Sequence, residues 1–176
     1  MKIKQILILV IIFGLTFTIN IFSQEKKKVE PVNWEELTPF LIDISGFIKE
    51  GEPVGEIRGT PNNKLSRVKQ DYVAESDKNK RLTLAISDFG FPSEAIEMSK
   101  SIWAEEMDTS EKYIKRITIK DCPGVESYRY NNKEARVIVI IEDRFIVRLE
   151  GFGFDNTSEL KNIIQKIDFK GIASLR

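Results

Sequence analysis

From residue 113 to residue 151 the chain reads as four β-prone segments in succession: Tyr113 to Lys120, Val125 to Tyr130, Glu134 to Ile141 and Arg144 to Gly151. At most four residues separate one from the next, too few for the crossover that a parallel pair requires, so the pattern predicts antiparallel neighbours. Pro123-Gly124 suits a type II turn, and Asn131-Asn132 a hairpin with positive backbone angles. The run Val137 to Ile141 is apolar at every position, which places it in the middle of the sheet with both faces covered.

Upstream, glycines and prolines between Gly46 and Phe89 punctuate Val54 to Arg58, Leu65 to Glu75 and Arg81 to Asp88. In the last of these, Leu82, Leu84 and Ile86 alternate with Arg81, Thr83 and Ser87, the period of a strand. Three helices frame the strands. Asn33 with Glu36 forms a capping pair ahead of Trp34, Leu37, Leu41 and Ile44, although Pro39 demands a kink or a fresh start there. Ser93 caps a second helix through about Met107, whose broad apolar set of Ala95, Ile96, Met98, Ile102, Trp103 and Met107 calls for a packing partner. The third follows Asp155 to Ser158 and carries Leu160, Ile163, Ile164 and Ile167 at helical spacing. The expected architecture is α+β, a single antiparallel sheet of six to seven strands covered by three helices.

The N-terminus has a different character. Lys2 and Lys4 precede an apolar stretch from Ile6 to Phe22, the order of a secretory signal peptide, with cleavage expected between Ser23 and Gln24. Ile21, three positions before that cut, departs from the usual small residue, and the alternative is an uncleaved anchor of about the shortest length that spans a bilayer. In either case the lysines ahead of the apolar run predict an exported domain, periplasmic or secreted. Residues 24–32 read as a charged, mobile linker and 33–176 as one domain. Membrane contact is expected only through the N-terminal segment.

Charge and chemistry exclude several functions. The chain has 27 basic and 27 acidic residues and no histidine. Once the first 23 residues are set aside the remainder has a net charge of −2, not the basic excess of a nucleic-acid binder. Without histidine, serine triads, Cys-His nucleophiles and the usual zinc sites are ruled out. Cys122 is the single cysteine, so no internal disulfide forms, and it reads as an inert, partly buried thiol. The acid pairs Glu35-Glu36, Glu105-Glu106 and Glu142-Asp143 are sequence neighbours, which lie in water or diverge and do not face each other across a cleft. Gly151-Phe152-Gly153 opens onto a helix but lacks the parallel strand of a dinucleotide site, and no cofactor is implied. Phe152 with Phe154, and Tyr128 with Tyr130, share a side in an extended chain and read as packing or edge residues.

The last hairpin supplies the candidate site. With Glu142-Asp143 as a two-residue turn, Ile141 faces Arg144 and Val137 faces Arg148. Arg144 and Arg148 then share one sheet face around Ile146, while Phe145, Val147 and Leu149 take the other. Two arginines so placed either pair with nearby carboxylates or grip an anion through forked hydrogen bonds.

Leu84-Ala85-Ile86-Ser87-Asp88, Ala135-Arg136-Val137, Arg144-Phe145-x-Val147-x-Leu149-Glu150-Gly151, Leu160 and Ile167-Asp168-Phe169 together resemble a loose group of small exported bacterial proteins of unassigned function. In element order the same stretch is similar to the PsbP/Mog1-like α/β/α sandwich, a resemblance that implies a fold and no catalytic residue. The functional expectation is an exported, non-catalytic domain that binds a partner protein or small ligand. The alternatives are a carboxylate- or metal-dependent enzyme and a membrane-tethered form of the same domain.

Overall fold

The structure is a computed structural model that describes residues 28–60, 63–103 and 105–175. The predicted signal segment 1–23, with its cleavage point at Ser23 and Gln24, lies outside the described residues. Eight strands form one sheet: β1 (Phe47–Thr60), β2 (Asn63–Ala74), β3 (Arg81–Asp88), β4 (Met107–Asp108), β5 (Lys112–Ile119), β6 (Cys122–Arg129), β7 (Glu134–Ile141) and β8 (Phe145–Phe152). Their order is β1-β2-β3-β8-β7-β6-β5-β4, and every pairing is antiparallel.

The expectation of a sheet of six to seven strands covered by three helices is corrected: the sheet has eight strands and dominates the fold. The helices are short: α1 (Trp34–Leu37) continues into a 3-10 turn over Thr38–Phe40, α2 spans Glu94–Trp103, α3 Ser158–Ile164 and α4 Phe169–Ala173. The added strand is β4, which the helical reading had absorbed because Met107 continues an apolar helical stripe. Met107 instead pairs with Ile114.

The glycines and prolines that look like breaks in β1 act differently. Gly51 has φ +68° and the register shifts between Glu50 and Val54, so Gly51 to Pro53 bulge out of one continuous strand. The Gln70 amide opposite donates to the carbonyls of Glu50 and Gly51, both at 3.2 Å, and thereby satisfies groups the bulge takes off the ladder.

Two expected turns also move. Pro123-Gly124 lies inside β6, facing Thr118 and Ile117, and the reversal is made by Lys120 and Asp121 at positive φ. In the next hairpin the positive φ falls on Lys133, not on Asn131 or Asn132.

Strand alternation divides the sheet into two unequal faces. The first carries Leu82, Leu84, Ile86, Val137, Val139, Phe145, Val147 and Leu149, all buried, and forms one cluster with Leu37, Leu41 and Ile44 from the N-terminal segment and Leu160, Ile163, Ile164, Ile167 and Ile172 from the C-terminal helices and the link between them. Tyr72 joins it, its hydroxyl donating to Ile42 O at 2.7 Å. The Glu36 carboxylate accepts from Asn33 N at 3.2 Å, as the capping pattern predicts. The second face is more polar. Of the apolar set on α2, Ile96 is buried while Met98 and Ile102 are exposed, so the helix buries a narrower stripe than its composition suggested.

Candidate functional site

The structure separates the two candidate arginines. Ile141 pairs with Phe145 and Ile138 with Arg148, one position away from the predicted register, because Arg144 belongs to the connection and not to the strand. Its side chain leaves the second face altogether. Arg144 is buried; its Nε donates to Asp88 Oδ1 at 2.9 Å and its Nη2 to Asp88 Oδ2 at 2.6 Å, a bidentate, charge-assisted pair. Asp88, fully buried at the end of β3, also accepts from Gly90 N and Val32 N, each at 2.8 Å. Arg144 Nη1 reaches Leu175 O at 2.9 Å. The residue therefore binds the start and the end of the domain to its central hairpin. It holds structure together and presents no free fork to a ligand.

The same node anchors part of the predicted linker. Val29 and Phe91 exchange backbone hydrogen bonds at 2.7 and 2.9 Å, and Val32 is buried, so the charged stretch becomes part of the fold before residue 33. Beside it opens a cleft of about 530 Å³ lined by Phe89, Phe91, Lys28, Lys64, Glu30 and Glu94, among others. Glu30 in it is occupied: it meets Lys28 at 2.9 Å and Lys64 at 3.5 Å, and the Lys28 hydrogen bond holds its carboxyl below the usual range.

Arg148 stays on the second face, where the register builds three rows across the sheet. Arg67, Ser87 and Ile146 form one; Lys69, Ala85, Arg148 and Ile138 the next; Asp71, Thr83, Glu150 and Arg136 the third. Arg136 donates to Glu150 and, at 3.1 Å, to Glu134, which also meets Arg129 at 3.2 Å. Lys69 meets Asp71 at 3.6 Å. Arg148 has only the far oxygen of the shared Glu150, at 3.8 Å. Arg67 makes no ion pair among the described residues, and its cross-strand neighbour Glu56 is held by Arg58 at 2.6 Å. Burial pushes the Arg148 guanidinium below its ordinary range; the nearby charges of Arg67 and Arg136 push the same way, and Glu150 opposes them. Arg136 Nε is buried without an acceptor. The result is a grid of six cations on four carboxylates, half-buried at its centre, every member of which stands on a strand.

The aromatic pairs also part company. Gly153, at φ +78°, turns the chain so that Phe154 is buried and Phe152 is exposed. Tyr128 is buried with its hydroxyl donating to Phe154 O at 2.8 Å, and Tyr130 packs on it edge-on at 5.4 Å. Cys122 is half-buried, and burial raises its thiol pKa.

Sequence reasoning missed Arg67, Arg136 and Asp88. Arg67 stands alone on β2 in the sequence, and only the β2–β3–β8 register brings it to the side of Arg148. Compared with family models, curated proteins and solved structures, the chain matches none.

Proposed function

We propose that this chain is an exported, non-catalytic binding domain that holds an anionic ligand, or an anionic group on a partner protein, against the second face of its sheet. The observation that carries the reading is the under-compensated positive charge at Arg67, which makes no ion pair among the described residues, and at Arg148, whose one carboxylate, Glu150, lies at 3.8 Å and is shared with Arg136. Leaving two half-buried guanidinium groups side by side is unfavourable, and an anion that accepts from both removes the penalty. The export assignment rests on the lysines and the apolar run of the first 23 residues.

The test exploits net charge. The sequence pI is about 6.4, so above neutrality the protein is repelled by a polyanion unless a local patch outweighs the total. Retention on an immobilised polyglutamate surface at pH 8, lost on charge reversal of Arg67 and Arg148 with the fold intact by circular dichroism, supports the reading. Equal retention of parent and variant, or none by either together with no binding of any small anion, overturns it.

A further inference from the structure

Arg67 and Arg148 lie on the same face in neighbouring rows and on strands separated by β3, so their positions are diagonal across it. Two strand spacings of about 4.8 Å and one two-residue step along the strand put their Cα atoms roughly 12 Å apart, a span that two extended arginines close to the width of a small ion. Between them β3 presents its smallest side chains, Ala85 and Ser87, both buried. Ser87 makes no side-chain hydrogen bond among the described residues, so β3 carries a hydroxyl with no protein acceptor between the two arginine positions. The neighbouring acids are engaged: Glu150 by Arg136, Asp71 by Thr83 and Lys69, Glu56 by Arg58.

We infer that Arg67, Ser87 and Arg148 form a binding site for a doubly charged tetrahedral oxyanion, a phosphate or sulfate group. The inference deepens the function proposed above and rests on it. A carboxylate has two oxygens and one charge and satisfies a single guanidinium fork. A phosphate monoester or free phosphate brings up to two charges and at least three acceptor oxygens, enough for one fork on each side and the serine hydroxyl beneath. Its charge matches the excess that the grid leaves open. The desolvation that depresses the Arg148 pKa also strengthens its pairing with an anion once one is bound.

The experiment is a calorimetric titration of the purified protein with inorganic phosphate, inorganic sulfate, glycerol phosphate and, as a singly charged control, acetate. Saturable binding of the tetrahedral anions, with acetate at least about tenfold weaker, is the expected result. Tighter binding of glycerol phosphate than of inorganic phosphate assigns the site to esters, and the reverse order assigns it to the free ion; both support the site. Arg67→Gln and Arg148→Gln are each expected to weaken phosphate at least about tenfold, and Ser87→Ala a few-fold. Arg116→Gln, which removes an exposed pair with Glu106 on β5, leaves it unchanged. Urea midpoints of all variants near that of the parent exclude unfolding as the cause. No saturable binding of any tetrahedral anion, or equal binding by parent and arginine variants, overturns the inference. If polyglutamate retention survives that result, the oxyanion site fails and the anion-binding face stands; if both are lost, the functional reading falls with it.

Discussion

Replacing Arg144 by Met tests whether the buried Asp88–Arg144 pair is the fastener of this fold. The substitution keeps most of the aliphatic volume and removes the guanidinium. Asp88 then retains the amides of Val32 and Gly90 but loses two charge-assisted bonds, at 2.9 and 2.6 Å, while Leu175 O loses its donor at 2.9 Å. Hydrogen bonds to charged groups contribute about 1.5–3 kcal/mol each, and removing one member of a buried ion pair costs about 3–5 kcal/mol, so both routes arrive at a similar figure. With a urea slope of about 2 kcal/mol per molar, typical of a domain this size, the midpoint falls by roughly 1.5–2.5 M. Arg148→Met, on the half-exposed face, changes stability by less than about 1 kcal/mol. The double variant Asp88→Leu with Arg144→Met recovers much of the loss, because no charge is left uncompensated. Hydrogen exchange adds a local reading: the Val32 amide loses protection in Asp88→Leu. If Arg144→Met stays within about 0.5 kcal/mol of the parent, or the double variant is no better than the single one, the fastener argument is wrong.

Gly55→Ala places a Cβ 1.9 Å from Trp34 Cδ2, so the indole must leave its seat on β1; a loss of about 1–3 kcal/mol in denaturant titration and a red-shifted tryptophan emission are expected. Burial, with a contribution from Asp43, raises the Tyr72 phenol from 10.0 to about 12. Since its folded pKa lies above the unfolded one, its contribution to stability is complete below pH 10 and is lost as pH rises towards 12, and phenolate absorbance should show one tyrosine titrating late. Cys122, its thiol raised chiefly by burial, should react slowly with a disulfide reagent at neutral pH and speed up on addition of urea.

Much of the strand inventory was readable because alternation is local. Leu82, Leu84 and Ile86 on one side and Thr83 and Ser87 on the other need no partner to reveal their faces. Register was not readable, because it depends on a single residue at each turn. The Glu142-Asp143 turn was located correctly by its residues, yet Arg144 joined the connection and Ile141 met Phe145, which was enough to send Arg144 into the interior and leave Arg148 on the surface. Gly51 and Pro53 show the same limit: a bulge inside a strand and a loop between strands use the same residue types.

The amino-acid sequence alone determined that the chain folds as an antiparallel sheet with one strongly apolar face, that it has no histidine and a single cysteine to work with, and that an arginine-bearing hairpin lies at its centre. These follow from composition and short-range periodicity. The tertiary structure decided which charges meet. Asp88 and Arg144 are 56 positions apart, and Arg67 reaches the side of Arg148 only because β8 pairs with β3 on the side away from β2. Encounters of that kind are set by strand order and register, properties of the whole sheet that no window of the sequence contains.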